Sequence, residues 1–245
     1  MQKQNQKMET INVIAGKPLE YHKDEQNKNI RGVPIEYHDF ADVFNLRNAR
    51  TMPKDRGIWN FKIDFVNGWK DKLPRPAKRY WLTRDEQKLK EETIKELLEA
   101  SMIHPSTSPI AAPCFFMSKK DGTKRHVVDY RVINVITIKD THPLPIMDEL
   151  LDLAKGSKIM SKLDLTASYN QVPIREQDCW KTAFITAQGL FEFNIMHFRF
   201  ANAPPHMQCF MQHTLAPVIK EKVGVYLDDI PAFSTSKLQH VTTMQ

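Results

Sequence analysis

The clearest helical pattern of the chain begins at Thr83. Leu89 and Leu97 recur at helical spacing, with charged residues between them. Thr83 and Glu86 form a T-x-x-E capping box, in which each side chain satisfies the backbone N–H of the other residue. Pro105 follows shortly, and a proline at that distance is typical of a helix end. The pattern therefore predicts an amphipathic helix of about five turns.

Alternating apolar and polar positions predict strands and hairpins further along the chain. The stretch APCFFMSKKDGTKRHVVDYRVIN predicts a hairpin that turns at Asp121-Gly122, and KTAFITAQGLFEF predicts another near Gln188-Gly189. In SKIMSKLDL, Lys162 and Asp164 share the face opposite the leucines. VGVYL, residues 223–227, predicts a last apolar strand that is loosened by its glycine.

Two further segments favour helices, and an earlier one favours extended chain. A helix is expected from Pro145 to Gly156, and another over residues 203–220 after Pro204-Pro205. The short apolar clusters between Ile30 and Tyr80 show no sustained period, so we expect an extended segment that packs on another element. Strands and helices interleave without a regular βαβ rhythm, which indicates an α+β fold.

The composition is typical of a folded, intracellular protein. The chain has 245 residues, of which 41% are hydrophobic. Its three cysteines, Cys114, Cys179 and Cys209, are odd in number and show no paired spacing, which favours a reduced chain. No secretory signal and no membrane span are visible. We therefore expect a cytoplasmic or nuclear location.

The net charge of +6 is concentrated near the N-terminus. Residues 1–82 hold 16 Lys and Arg against 10 Asp and Glu, whereas the rest of the chain holds 19 of each. A basic arm suits an anionic partner such as nucleic acid, although an ordinary solvated tail has the same composition. Residues 1–29 are polar and rich in Gln, Asn and Lys, so we expect them to be disordered.

Adjacent carboxylates follow the last apolar run, in the sequence YLDD. Taken alone, Asp228 and Asp229 are typical of a solvated hairpin tip. A third carboxylate at a neighbouring strand end would change this interpretation, because three close carboxylates need a cation to remain ionised. Mg²⁺ binds carboxylates together with substrate phosphates, and two such ions can promote phosphoryl transfer.

Six blocks in order resemble the reverse transcriptase of gypsy-type LTR retrotransposons. They read KKDGTKRHVVDYRVINVITIK, HPLPIMDELLD, KLDLTASYNQV, WKTAFITAQGLFEF, MHFRFANAPPHMQ and YLDDIPAFS. The resemblance runs from about Ile30 to the C-terminus. It implies a right-hand polymerase with a palm, built as an antiparallel sheet backed by helices, and a fingers subdomain; the thumb is expected to be absent.

The resemblance also implies roles for individual residues. Asp164, Asp228 and Asp229 would be the catalytic carboxylates. Two Mg²⁺ ions, for which Mn²⁺ is a possible substitute, would be held by Asp164 and Asp228 together with Leu165. The implied nucleotide-binding residues are Lys119, Arg125, Leu165, Thr166, Tyr169, Phe198 and Gln208. Among these, the backbone of Leu165 and Thr166 would meet the triphosphate, and Tyr169 would exclude a 2′-hydroxyl.

The same resemblance divides the chain into six segments. They are a disordered N-terminus (1–29), an extended basic lead-in (30–82), fingers (83–138), a first part of the palm (139–172), a second part of the fingers (173–201), and a second part of the palm with the YLDD hairpin (202–245). The later thumb, RNase H and integrase regions of such polyproteins are expected to be missing, as is the upstream protease.

Three positions depart from the family pattern. His197 and Arg199 replace the proline and glycine of its MPFG block, and we expect Arg199 to obstruct or rearrange the template pocket. Pro231 lies in the strand that returns from YLDD, where a proline cannot donate an N–H. If it faces the unpaired side the hairpin survives; otherwise a ladder bond is lost.

The expected function is that of an RNA-directed DNA polymerase fragment. It would extend a primer on an RNA or DNA template with deoxynucleotides, without a membrane partner, and its oligomeric state is left open. A decayed remnant that at most binds nucleic acid is the alternative, and a fragment that does not fold stably is a third. The spacing of His206, Cys209 and His213 also allows a zinc site, although the same stretch matches an ordinary helix of the family.

Overall fold

The computed structural model describes residues 9–11, 35–44, 48–73, 78–118, 122–219 and 222–244. The chain divides into two compact units. The first unit comprises Met1–Ala49, His142–Ser168 and Met207–Gln245, and the second comprises Arg50–Thr141 and Tyr169–His206. Lys119 lies outside the described residues, as does most of the segment 1–29. The six-segment division stays a prediction.

The described strands and helices alternate irregularly along the chain. The strands are β1 (Glu9–Ile11), β2 (Ile103–Pro105), β3 (Ala112–Ser118), β4 (Lys124–Val128), β5 (Ile159–Asp164), β6 (Phe184–Thr186), β7 (Gly189–Phe193) and β8 (Asp229–Ser234). The α-helices are α1 (Arg84–Glu99), α2 (Arg131–Ile136), α3 (Met147–Leu153), α4 (Ala203–Thr214) and α5 (Lys237–Met244). Short 3₁₀ helices lie between them, and the fold is α+β as predicted.

The first unit contains a sheet in the order β1-β5-β8. β5 and β8 are antiparallel, whereas β1 pairs with β5 in parallel, from Glu9↔Ile159 to Ile11↔Ser161. Residues 9–11, which lie in the segment that the sequence predicts to be disordered, thus form an edge strand, and the sheet is mixed rather than purely antiparallel. The β-branched Thr10 and Ile11 favour extended backbone, but the polar composition around them concealed this preference.

Helix α5 is fixed to this sheet by a buried histidine. The Nε2 atom of His240 lies 2.7 Å from Ser161 Oγ on β5, and its Nδ1 atom lies 3.0 Å from Ser234 Oγ on β8. All three side chains are buried. The two hydroxyl groups satisfy both ring nitrogens, so a polar cluster is accommodated between the helix and the two strands.

The second unit contains a mixed sheet in the order β2-β7-β6-β3-β4. Both predicted hairpins are confirmed, with β3 antiparallel to β4 and β6 antiparallel to β7. The parallel pairing of β3 with β6 joins the two hairpins. Buried aromatic rings of Phe184, Phe193 and Tyr130 form part of the core on this sheet. Their burial supplies much of the driving force for folding this unit.

Helix α1 begins as its capping box predicts. Glu86 N donates to Thr83 Oγ1 at 3.3 Å, and Thr83 N donates to a Glu86 carboxylate oxygen at 3.0 Å. The apolar face buries Ile94, and Lys90 is also buried, where its Nζ contacts Cys114 Sγ of β3. The local signals at both ends of this helix were therefore sufficient to place it.

Part of the segment before α1 packs against other elements of the second unit, whereas Ile35–Phe44 forms a 3₁₀ helix instead of the predicted extended chain. Phe61 forms a parallel bridge to Ile174, Phe65 forms an antiparallel bridge to Thr137, and the Phe61 ring is buried. Lys181 lies over the Phe65 ring, 5.0 Å from its centroid. The WKTAF block therefore contributes packing contacts for this segment.

Three elements differ from their predicted bounds. α3 covers only Met147–Leu153. α4 begins at Ala203, the predicted residue, so that Pro204 and Pro205 occupy its first turn, where a missing N–H has no cost. α4 also ends at Thr214, earlier than expected. The predicted strand 223–227 was wrong, because that segment makes only isolated bridges. None of the helices in the described part of the chain has the length and apolar character needed to cross a membrane.

Candidate active site

The antiparallel pairing of β5 with β8 places two of the predicted carboxylates opposite each other. Asp164, the last residue of β5, pairs with Asp229, the first residue of β8. Leu165 N donates to the Asp228 carbonyl at 3.0 Å, so Leu165 and Asp228 form a hydrogen-bonded pair of the ladder. Because hydrogen-bonded and non-hydrogen-bonded pairs alternate, the adjoining pair Asp164–Asp229 has no ladder bonds. Side chains of such opposed residues lie on one face of the sheet. Strand register therefore brings Asp164 to the YLDD tip.

The YLDD tip is a two-residue turn. Tyr226 and Asp229 exchange two backbone hydrogen bonds, each of 2.9 Å, so Leu227 and Asp228 form the turn itself. Leu227 has φ +55°, a left-handed conformation that is unusual for a residue with a branched side chain. Tight hairpins of this length require such backbone, because it matches the twist of the flanking strands.

Gln208 of α4 holds this turn through its side-chain amide. Leu227 N donates to Gln208 Oε1 at 2.8 Å, and Gln208 Nε2 donates to the Val225 carbonyl at 3.2 Å. The Gln208 side chain is fully buried. Sequence reasoning assigned Gln208 to nucleotide binding, and that assignment stays a prediction. The contacts described here are those of a residue that positions Asp228 by holding the preceding backbone.

The three carboxylates influence one another electrostatically. Burial is the largest cause of the raised pKa of Asp228, and the charges of Asp229 and Asp164 raise it further. The ammonium of Lys162 acts in the opposite direction. A cation would relieve this destabilisation of the charged form of Asp228.

Lys162 is a further charged residue at this end of the hairpin. Its Nζ lies 2.8 Å from Asp229 Oδ2, and this contact is the main reason that the pKa of Lys162 is raised. Lys162 was seen in the sequence only as a residue on the Asp164 face. The two-residue spacing from Asp164 is the signal that could have placed it beside the carboxylates.

The donor chemistry fits a hard divalent cation, because carboxylates are the ligands that Mg²⁺ prefers. However, in the part of the chain that the structure describes, no group of three or more His, Cys, Asp or Glu side chains is placed to hold a metal ion. The same finding covers the possible zinc site, and the ring of His206 instead contacts the Trp59 carbonyl. Metal binding by Asp164 and Asp228 therefore belongs among the proposals below.

Pro231 spares the pairing with β5 and interrupts the pairing on the other side of β8. It lies opposite Lys162 at a position without ladder bonds, so β5 loses nothing. On its other side, Gly224 N donates to the Pro231 carbonyl at 2.9 Å, but Pro231 has no N–H to return to Gly224. The bridges Val223↔Ala232 and Tyr226↔Asp229 flank this gap. The proline thus explains why residues 223–227 do not form a continuous strand.

Gly224 lets α3 approach the same segment closely. A Cβ atom at this position would lie 2.7 Å from Leu150 Cδ2 and 3.2 Å from Leu153 Cδ1, both on α3. Contacts this short require the leucine side chains to move. The glycine was interpreted from sequence as a weakness of the strand, but it serves helix packing.

Three predicted residues continue the chain beyond β5. Leu165 already donates its N–H to Asp228, as described above, and Thr166 is exposed. Ala167 has φ +51°, so the backbone turns sharply there. Tyr169 is half-buried in the 3₁₀ helix Ser168–Gln171 and is the first residue of the second chain segment of the second unit. The nucleotide-binding roles of these residues stay predictions.

Arg125 and Phe198, two residues predicted to bind nucleotide, lie close to Arg199, which was expected to obstruct the template pocket. The guanidinium carbons of Arg125 and Arg199 each lie 5.3 Å from the centroid of the Phe198 ring. This distance is within the range of a cation–π interaction. Below, Arg125, Phe198 and Arg199 are called the twin-arginine surface.

The residue before Phe198 is a buried, neutral histidine. The His197 ring stacks on Phe198 with centroids 4.5 Å apart and contacts Tyr130 edge-on. Burial is the main reason that the pKa of His197 falls to about 3, and the nearby His126, Arg199 and Arg125 lower it further. The replacement of the family's proline therefore adds an uncharged aromatic support beneath the twin-arginine surface.

Comparisons with known proteins agree with this architecture. A profile described as reverse transcriptase (RNA-dependent DNA polymerase) matches residues 117–245, more than half of the chain. The chain belongs to this family. The predicted relationship to gypsy-type retrotransposons is confirmed by the transposon Tf2-3 and Tf2-7 polyproteins of Schizosaccharomyces pombe, each 31% identical over 203 residues. That alignment covers 83% of this chain but only 15% of each polyprotein.

Solved structures with the same fold come from the protease-reverse transcriptase of prototype foamy virus. The native enzyme is 26% identical, with a TM-score of 0.59, over 70% of this chain and 23% of that one. A foamy viral protease-reverse transcriptase in complex with an RNA/DNA hybrid is 19% identical, with a TM-score of 0.66, over 86% of this chain and 29% of that one. These likenesses support the predicted palm and fingers fold.

Proposed function

We propose that this chain is the fingers and palm portion of an RNA-directed DNA polymerase. The 3′-hydroxyl oxygen of a primer attacks the α-phosphorus of a deoxynucleoside triphosphate paired to an RNA or DNA template. A new phosphodiester P–O bond forms and the hydroxyl proton is released to water, while the bond from the α-phosphorus to the β-phosphate oxygen breaks and pyrophosphate leaves. Membership of the reverse transcriptase family supports the reaction class.

The observation that carries the proposal is the carboxylate arrangement at the YLDD tip. Strand register sets Asp164 opposite Asp229, and Asp228 lies in the turn with a pKa raised partly by both. In this proposal Asp164 and Asp228 hold two divalent ions, with Leu165 beside them, and Asp229 supports the arrangement. When bound, the ions would stabilise the attacking and leaving oxygens of the phosphoryl group.

The nucleotide side of the proposal uses residues of the second unit. Arg125 binds triphosphate oxygens, because its planar fork matches their geometry. Lys119 adds a point charge, and Phe198 lines the nucleotide or template. Tyr169 lies under the sugar and excludes a 2′-hydroxyl, so that deoxynucleotides are selected.

Primer extension tests this proposal. The chain is incubated with poly(rA)·oligo(dT), thymidine triphosphate and Mg²⁺ or Mn²⁺, beside an Asp228→Asn variant that keeps the side-chain volume. We expect extension by the chain and at least a hundredfold less by the variant, the order of loss expected on removing an electrostatic catalytic group. Equal signals from both proteins, or none from either, would refute the activity.

A nucleic-acid-binding protein without catalysis is the second candidate. It is favoured by the absence, among the described residues, of a formed three-ligand metal group, and by the pairing of Lys162 with Asp229. This candidate predicts that the chain binds primer–template, does not extend it with either metal, and binds equally well after Asp228→Asn.

A further inference from the structure

Two cations converge on a single aromatic ring in the second unit. The guanidinium carbons of Arg125 and Arg199 each lie 5.3 Å from the Phe198 centroid. The two positive charges can therefore be no further apart than twice that distance. Like charges at such a separation repel, so their convergence needs either a partner anion or firm positioning by the fold.

The fold positions both arginines from different elements. In the register of β3 with β4, Met117 is opposite Arg125, so both side chains leave the hairpin on one face. Arg199 reaches the same hairpin, because its Nη2 lies 3.0 Å from Met117 Sδ. The second guanidinium is therefore directed to the side of the hairpin from which Arg125 projects.

The backbone that carries Arg199 is also fixed. Asn134 of α2 donates from Nδ2 to the Arg199 carbonyl at 2.9 Å and accepts at Oδ1 from Ala201 N at 3.0 Å. One side-chain amide thus clamps both ends of the short turn. A pre-set turn lowers the entropy lost when a ligand is bound.

Neither guanidinium has a carboxylate partner among the described residues, and the side chains of Arg125 and Arg199 are exposed. The nearest aromatic groups are uncharged, since His197 is buried and neutral. The charge at this surface is therefore available to a ligand. Arginine pairs of this kind match the oxygen geometry of phosphate groups.

We propose that Arg199 acts with Arg125 as a second ligand for the oxyanions of a polyphosphate, of the class found in nucleoside triphosphates. The residue that stands in place of the family's glycine then adds a phosphate contact. The phosphate chemistry follows from the twin-arginine surface itself, whereas the nucleotide as natural ligand rests on the proposed function.

Calorimetric titration with inorganic tripolyphosphate, without divalent metal, tests the inference. Arg199→Gln should weaken binding about tenfold, as expected for one charge-assisted hydrogen bond, and Arg199→Lys should weaken it less. Arg84→Gln is the matched control, because Arg84 is an exposed arginine at the start of α1 and its loss removes the same charge. Far-UV circular dichroism verifies that each variant is folded. Unchanged binding by Arg199→Gln, or an equal loss in Arg84→Gln, would overturn the inference.

A second arm separates the two possible sources of phosphate. The same proteins are titrated with a single-stranded oligonucleotide that lacks terminal phosphates. A larger loss for the oligonucleotide than for tripolyphosphate would assign Arg199 to a nucleic acid backbone and overturn the polyphosphate assignment. Tripolyphosphate binding requires neither primer, template nor divalent metal, whereas extension in the proposed function requires all three. Failure of the polymerase proposal is thus visible separately from failure of this inference.

Discussion

At the scale of single residues, the buried amide of Gln208 determines how the YLDD turn is held. It satisfies Leu227 N and the Val225 carbonyl, two backbone groups that have no other described partner in the hairpin. Leu227 is held with φ +55°. A strained conformation of this kind persists only where surrounding contacts over-determine it.

Replacement of Gln208 by Ala should destabilise the first unit and misplace Asp228. One buried and one half-buried backbone group lose their partners, and we expect about 2–4 kcal/mol less unfolding free energy in urea titrations. Gln212→Ala on the same helix is the control, since the Gln212 amide contacts the half-exposed side chain of His142 rather than the backbone of the turn. Equal stability of the two variants would contradict the role given to Gln208.

Buried histidines should make the chain sensitive to acid. The pKa of His126 falls from 6.5 to about 4, mainly because the ring is buried and secondarily because of Lys90. Below pH 6.5 the imidazole of His126 binds a proton in the unfolded chain but not in the folded chain. The contribution of this histidine to stability is therefore fully present above pH 6.5 and is lost as the pH falls towards 4. The pKa of His197 falls to about 3, and it acts in the same direction.

His126→Phe should reduce this sensitivity and stabilise the fold. The Nε2 atom of His126 is buried without a hydrogen-bond partner among the described atoms, and the ring already contacts Phe116 and Phe184. Removing the unsatisfied nitrogen should add about 1 kcal/mol to the unfolding free energy at pH 7 and more at pH 5. Urea titrations at the two pH values measure this. A variant whose advantage shrinks at pH 5 would refute the assignment.

At the scale of elements, the hairpin that carries the carboxylates depends on unequal pairing along the two sides of β8. Its β5 side is complete, whereas Pro231 removes one bond from the side facing residues 223–227. Gly224, in that weaker segment, is needed for the close approach of α3. The hairpin is thus anchored by β5 and by helix contacts more than by its own second ladder.

Pro231→Leu should complete the interrupted ladder with little change in overall stability. The new N–H can donate to the Gly224 carbonyl, a gain of about 0.5–1.5 kcal/mol. The unfolded chain becomes more flexible, which offsets about 0.4–1 kcal/mol. Amide hydrogen exchange should therefore show a protected amide at residue 231 while the urea midpoint moves little. Rapid exchange at that amide would contradict the pairing described here.

Loss of the buried ion pair between Lys181 and Asp178 should lower the unfolding free energy more than loss of an exposed pair. Lys181 Nζ lies 2.5 Å from Asp178 Oδ1, and the two side chains are only 15% and 4% exposed. Lys181→Met leaves the carboxylate buried without its cation, which should cost about 3–5 kcal/mol. Lys155→Met, in the exposed pair with Asp152, should cost less than about 1 kcal/mol.

The double variant Lys181→Met with Asp178→Asn identifies the cause of this loss. Neutralising the orphaned carboxylate should recover part of the stability in the same urea titrations. No recovery would show that the lost contact of the Lys181 ammonium with the Phe65 ring, rather than the unpaired carboxylate, is responsible.

The elements that sequence predicted correctly are those whose signals are local. The capping box fixed the start of α1, and turn residues located the hairpins of β3–β4 and β6–β7. β1 was missed because the polar residues around it conceal its local preference, and because its partner β5 lies far away in the sequence. The positioning role of Gln208 was missed for the same reason, since its partners lie almost twenty residues further along the chain. The three carboxylates were found because their motif blocks resemble a known family, whereas Lys162 needed the strand register.

At the scale of the whole molecule, the basic net charge agrees with the nucleic-acid partner of the proposed function. The chain carries a net charge of +6, and the excess lies in residues 1–82. It covers 15% of each curated Tf2 polyprotein, so the activity of a whole polyprotein is only proposed for this chain. Among its structural neighbours, foamy viral protease-reverse transcriptase has been solved in complex with an RNA/DNA hybrid and with double-stranded DNA.

Binding of primer–template should therefore depend on salt and be independent of the carboxylates. Phosphate contacts by Lys and Arg release counterions, so the logarithm of the association constant should fall linearly with the logarithm of salt concentration. Between about 50 and about 200 mM salt we expect at least a tenfold loss, measured by fluorescence anisotropy of a labelled hybrid. Asp228→Asn should follow the same line, because removing one carboxylate removes no phosphate contact. An association constant that does not change with salt concentration would contradict the electrostatic interface. A large change of this constant in Asp228→Asn would show that the carboxylates also take part in duplex binding.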